Sequence, residues 1–119
     1  MTITADVAAL IPNYKSAGER LFAQFGPAVL AAELGSPVVL MYYEAVTFNL
    51  PGNRYTPDFM AILEDGRLVF VEVKSSRYQR NIRDALSKLR AARAMHPGFV
   101  WVLCYATEKT GIEKLELVK

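Results

Sequence analysis

Apolar residues first recur at helical spacing after Ser16, where Leu21, Phe22 and Phe25 mark a helix; a short helical turn is predicted over residues 5–10. Gly26-Pro27 interrupts the pattern. Pro27 suits the first position of a helix and Gly35 its C-terminal cap, so a separate helical piece is predicted from about 27 to 34. From Val38 the chain turns to β-branched and aromatic residues, predicting a strand over about 38–49. Two more strands, Tyr55 to Leu63 and Arg67 to Lys74, flank the hairpin loop Glu64-Asp65-Gly66. Ser76-Arg-Tyr-Gln79 fits a capping box that opens a helix ending near His96, ahead of Pro97-Gly98. Strands over 99–106 and 112–118 follow. The second and third strands carry apolar residues on both faces, with Val69, Val71 and Val73 opposite in sense to Leu68 and Phe70. Strands of that kind belong in a sheet covered on both sides. The pattern therefore predicts an α/β fold with a mixed sheet.

The chain has 119 residues, 52% of them apolar, enough for one core and too few for two ordinary domains. No repeat or linker divides it. The single cysteine, Cys104, lies in the apolar run 99–106 and is expected to be a buried thiol. That run is far shorter than a membrane helix, and the first residues lack the basic start and apolar stretch of a signal peptide. A cytoplasmic protein without a membrane partner is the expectation. Net charge is only +2, but its distribution is uneven. Residues 74–93 hold seven basic side chains against Asp84, leaving seven basic and eleven acidic residues elsewhere. Such a block suits a phosphate-binding face, and equally a solvated helix face.

Asp58, Glu72 and Lys74 interrupt apolar strands, where an isolated charge costs several kcal/mol, so something must compensate them. Glu72 and Lys74 are two apart and share a strand face. Whether Asp58 joins them depends on register. A two-residue loop, Asp65-Gly66, sets Asp58 opposite Val73 and away from Glu72; a three-residue loop with Gly66 left-handed in a bulge sets Asp58 directly opposite Glu72. Two directly opposed carboxylates repel unless a cation lies between them. Hard oxygen ligands suit Mg²⁺ or Mn²⁺, and a lysine beside them suits activation of water or stabilisation of a phosphate.

Tyr55-Thr-Pro-Asp58 and, after thirteen intervening residues, Glu72-Val-Lys74 resemble the signature of the PD-(D/E)XK nuclease superfamily. The predicted order from Ser16 to Ala106 is similar to that family's restriction-endonuclease-like core, αβββαβ, with a mixed central sheet flanked by helices. The resemblance implies that residues 1–119 are a single nuclease domain in which Asp58 and Glu72 bind Mg²⁺ (or Mn²⁺), the carbonyl of Val73 completes the metal shell, and Lys74 assists the nucleophile. It also implies a glutamate on the first helix, for which Glu19 is the best match. Ser16-Ala-Gly-Glu19 is itself a capping box, which gives Glu19 an alternative role. Glu33 and Glu44 compete for the same place but are expected to be solvent-exposed. On the basic helix, Arg80, Arg83 and Arg90 share a face away from the stripe Tyr78, Ile82, Leu86 and Leu89. With Arg77 and Lys88 they are the candidate contacts to DNA backbone, although Asp84 and Lys88 also suit an ordinary helix pair. Gln79 stands where related enzymes carry an auxiliary polar residue.

The function so implied is a metal-dependent DNA endonuclease. The small size favours cleavage guided by DNA structure, as in Holliday-junction resolvases, with branched DNA and a homodimer as expected partners. The alternatives are a nicking, restriction-like or transposase-type endonuclease directed by a partner protein, a catalytically silent nucleic-acid-binding module, and a purely structural arrangement in which Lys74 bridges the two carboxylates. His96 is expected to interact with a helix end, and Trp101 and the tyrosines with the core and strands.

Overall fold

A computed structural model describes residues 13–76 and 81–119. After α1 (Ala17–Leu34) come β1 (Val38–Tyr43), β2 (Phe48–Leu50), β3 (Asn53–Tyr55), β4 (Phe59–Leu63) and β5 (Leu68–Lys74). The chain ends with α2 (Ile82–Met95), β6 (Val100–Thr107) and β7 (Gly111–Leu117). The main sheet has the order β1-β4-β5-β6-β7, antiparallel except for the parallel pair β5 and β6, and β2 pairs with β3 as a separate hairpin. The mixed α/β sheet expected from the pattern is therefore present.

The two-sided strands explain the layering. Val69, Val71 and Val73 point with Phe59, Ala61 and Leu63 into a cluster closed by Phe22 and Leu30 of α1. Phe70 points the other way, joining Trp101, Leu103 and Tyr105 beneath Leu89 and Ala92 of α2 and Phe48, Leu50 and Tyr55 of the hairpin. Trp101 stacks on Phe70 at 4.8 Å, and its indole N–H donates to the His96 carbonyl at 3.0 Å. His96 caps the C-terminus of α2. Cys104 is buried, and burial pushes its thiol up to about 12.

Three elements differ from the pattern. The break expected at Gly26-Pro27 is absent: α1 runs through Pro27 as one helix. An interior proline costs a helix ~3 kcal/mol, but Phe22 and Leu30, both wholly buried, hold the helix to the sheet on either side of it. Gly26 is not a cap here, since a Cβ on it would lie 2.7 Å from the Phe22 ring. The strand expected over 38–49 stops at Tyr43, because Glu44 has φ 47 and turns the chain away. The strand expected over 55–63 is broken between Tyr55 and Phe59, around Pro57, which cannot donate to a ladder. These two breaks release β2 and β3. The start of the second helix lies partly outside the described residues, as does the turn expected over 5–10; within them α2 begins at Ile82 with Asn81 as its cap.

Gly18 marks the closest approach of α1 to the sheet. A Cβ there would stand 2.6 Å from the Ala106 carbonyl oxygen, a backbone atom held in β6. Gly18→Ala is expected to lower stability by about 1–3 kcal/mol from overpacking, outweighing the ~1 kcal/mol an exposed helix gains from alanine. Urea unfolding measures it, and an unchanged midpoint would mean that α1 shifts freely.

Candidate active site: a carboxylate cluster at the end of β5

Gly66 has φ 93, its N–H donates to the Leu63 carbonyl at 2.9 Å, and the Leu63 N–H donates to the Arg67 carbonyl at 3.0 Å. This is the three-residue loop, and the ladder follows it: Phe59 pairs with Val71, Met60 with Phe70 and Ala61 with Val69. Continued one step, the register sets Asp58 opposite Glu72. The two-residue alternative is excluded.

Each acid is held by a different part of the fold. Asp58, just before the start of β4, accepts the Val73 N–H on Oδ2 at 2.7 Å. Glu72 is buried on the α2 face of β5, where its Oε1 accepts from the Tyr55 hydroxyl at 2.9 Å and its Oε2 lies 3.5 Å from Lys74 Nζ. Glu19 is also buried and comes from α1 on the other face, where its Oε1 accepts from the Tyr43 hydroxyl at 3.2 Å. Its carboxylate lies close enough to act electrostatically on both Asp58 and Glu72. Only half of the expected capping box forms: Ser16 Oγ accepts the Glu19 N–H at 3.1 Å, while the Glu19 side chain reaches into the acid cluster. Glu33 is exposed, as expected. Glu44 is half-buried rather than solvent-exposed, since its backbone turn brings its carboxylate to Lys15 Nζ at 2.8 Å. Its N–H donates to the Asp58 carbonyl at 2.9 Å, fixing the Asp58 backbone.

Burial and the nearby Glu72 push the Asp58 carboxyl up to about 8, the Val73 N–H offsetting part of the rise. Burial also raises Glu72, against the opposing pull of Tyr55 and Lys74. Burial pushes the Tyr43 hydroxyl up to about 12, and Tyr55 is raised further by burial and by Glu72. Both tyrosines are therefore fixed as donors at neutral pH.

A divalent cation fits this chemistry. Burial first, and neighbouring acids second, make the charged form of these carboxylates costly, a cost that a positive ion relieves, and all the available donors are hard oxygens. Val73 adds to the set: in an extended residue the N–H and C=O face the same edge, so its carbonyl lies on the Asp58 side. As they stand, the acids are turned onto protein donors, and among the described residues no three Asp, Glu, His or Cys side chains are drawn tightly around one point.

The basic residues divide. Lys88, paired with Asp84 at 3.2 Å, lines a cleft with Glu72, Lys74 and Arg54. Arg83 and Arg90 are exposed, and Arg83 stands roughly 160° around the helix from the buried Ala85. Arg90 borders a different hollow, beside Glu116 and Val118. Arg77, Gln79 and Arg80 lie outside the described residues. Lys15, Tyr43, Tyr55 and Arg54 were not legible as site residues. A buried tyrosine needs a partner for its hydroxyl, and Tyr55, three residues before Asp58, was the available hint. No helix is long and apolar enough to cross a membrane among the described residues. Compared with known proteins, the chain matches no family model, no curated protein and no solved structure.

Proposed function

We propose that the protein is a divalent-metal-dependent DNA endonuclease of the PD-(D/E)XK type, acting by hydrolysis of a phosphodiester bond. The observation that carries the reading is the three-residue hairpin register, which sets Asp58 opposite Glu72, itself two residues before Lys74 at the same strand end. Asp58, Glu72 and the Val73 carbonyl are the groups that would hold Mg²⁺ or Mn²⁺, with Glu19 joining from α1. When bound, the ion supplies Lewis-acid polarisation of the phosphate and a water of lowered pKa. The chain's own part is positional. Tyr55 holds Glu72 and Tyr43 holds Glu19, each by a hydroxyl donor on one carboxylate oxygen, which fixes where the acids stand. Lys74, partly buried beside Glu72, places its side-chain nitrogen where negative charge develops on the phosphate. Water forms the new P–O bond, one sugar oxygen leaves, and that oxygen takes up a proton.

A domain of this size fits structure-guided cleavage, with branched DNA as substrate and a homodimer cutting two strands. The test is cleavage of a labelled four-way junction, a matched linear duplex and a supercoiled plasmid in Mg²⁺, Mn²⁺ and EDTA. The expected result is metal-dependent, symmetric cutting of the junction alone. Cutting of all three substrates points instead to a general or partner-directed nuclease, and no cutting by a folded protein overturns the catalytic reading.

A further inference from the structure

The acid cluster is electrostatically lopsided. On its α1 side, Lys15 pairs with Glu44 at 2.8 Å and lies within electrostatic reach of Glu19 and Asp58. On its α2 side, Arg54 from β3, Lys74 from β5 and Lys88 from α2 line one polar cleft of about 190 Å³ with Glu72 and Asp84. Three cations from three separate elements thus converge beside the acid that the proposed reaction uses. Lys88 pairs with Asp84, whose side chain is 67% exposed, and a pair with so exposed a partner is worth little and yields readily to a competing anion. Arg83 and Arg90 stand on the other face of α2 and share no cleft with Glu72.

We propose that this cleft between β3, the end of β5 and α2 is the track for the nucleic-acid phosphodiester backbone, with Arg54 and Lys88 holding the phosphates that flank the reacting one. The inference rests on the nuclease reading and deepens it: the strand approaches from the hairpin side, and the outer face of α2 with Arg83 and Arg90 is not the contact surface. Asp84 then acts against binding, as the anion that Lys88 must exchange for phosphate.

Binding of a fluorescein-labelled 30-base-pair duplex and of a four-way junction, in EDTA to prevent cleavage, tests this between 50 and 200 mM salt. Each phosphate contact contributes about 0.9 to the slope of log affinity against log salt. The double variant R54A/K88A is expected to lose about two units of that slope and at least tenfold in affinity near 100 mM salt. Asp84→Asn is expected to bind several-fold tighter than the parent. R83A/R90A removes the same charge, so it controls for long-range attraction and is expected to change the slope far less than R54A/K88A. The reverse order overturns the track, as does an R54A/K88A slope equal to the parent's. A folded parent protein that binds neither DNA overturns the nuclease reading along with the track. Circular dichroism of each variant separates lost binding from lost fold.

Discussion

Glu72→Gln protein is expected to leave the junction, duplex and plasmid uncut in Mg²⁺ while binding DNA in EDTA at least as tightly as the parent. Glutamine keeps the volume and can still accept from the Tyr55 hydroxyl, so the hairpin stays anchored. The side chain loses the charge that an ion requires and that Lys74 pairs with. Losing one transition-state stabiliser in a desolvated site costs on the order of 10²–10³ in rate, and the loss of an ion ligand adds to it. Affinity moves the opposite way because a carboxylate beside the backbone repels phosphate, and its removal leaves Lys74 free to attract it. The variant's melting temperature is expected to equal or exceed the parent's, since burial makes the ionised Glu72 costly. Retained cleavage would remove Glu72 from the site. Lost cleavage with a lowered melting temperature would indicate a structural ion pair instead.

The second large effect is a stability that falls as pH rises. Asp58 titrates near 3.8 in the unfolded chain and is pushed up to about 8 in the fold. Between those values the native protein binds more protons than the unfolded one, so unfolding free energy decreases with pH. The contribution is complete below about pH 4 and lost as pH climbs through 8, a change on the order of a few kcal/mol. Glu72, raised in the same direction, adds to it. Asp58→Asn still accepts the Val73 N–H, so it is expected to flatten the profile and to melt higher than the parent at pH 8 in EDTA. Mg²⁺ is expected to raise the melting temperature of the parent at pH 8 and not that of the variant. Urea midpoints from pH 4 to 9 measure the first effect, and a parent whose stability rises over that range would show that Asp58 is ionised throughout.

The pairing of Glu72 with Lys74 and the two-sided character of β4 and β5 were legible because a strand has a period of two, and apolar residues at both parities permit only a covered sheet. The Asp58 register was ambiguous for a physical reason: Asp65-Gly66 alone and Glu64-Asp65-Gly66 both close hairpins, and they differ only in which residues take positive φ. Glycine at the last loop position satisfies both. Pro27 misled because the penalty for an interior proline is local, whereas the burial of Phe22 and Leu30 that overrides it is tertiary. The tyrosine donors were hidden for a related reason. Tyr55 reaches Glu72 only because the chain breaks after Tyr55 and the hairpin packs under α2, an arrangement that periodicity does not encode.

The acids come from different layers: Glu19 from the helix on one face, Glu72 from the other face of the sheet, and Asp58 from the strand end between them. No fragment holding only one packed layer contains the cluster. β5 is moreover flanked by β6, a parallel partner that lies beyond α2 in the chain and pairs Lys74 with Tyr105. Parallel pairing of this kind forms late, because the long intervening loop must close first. The β4–β5 hairpin can thus set Asp58 opposite Glu72 early, whereas the sheet that buries them is complete only once residues near 105 have docked on β5.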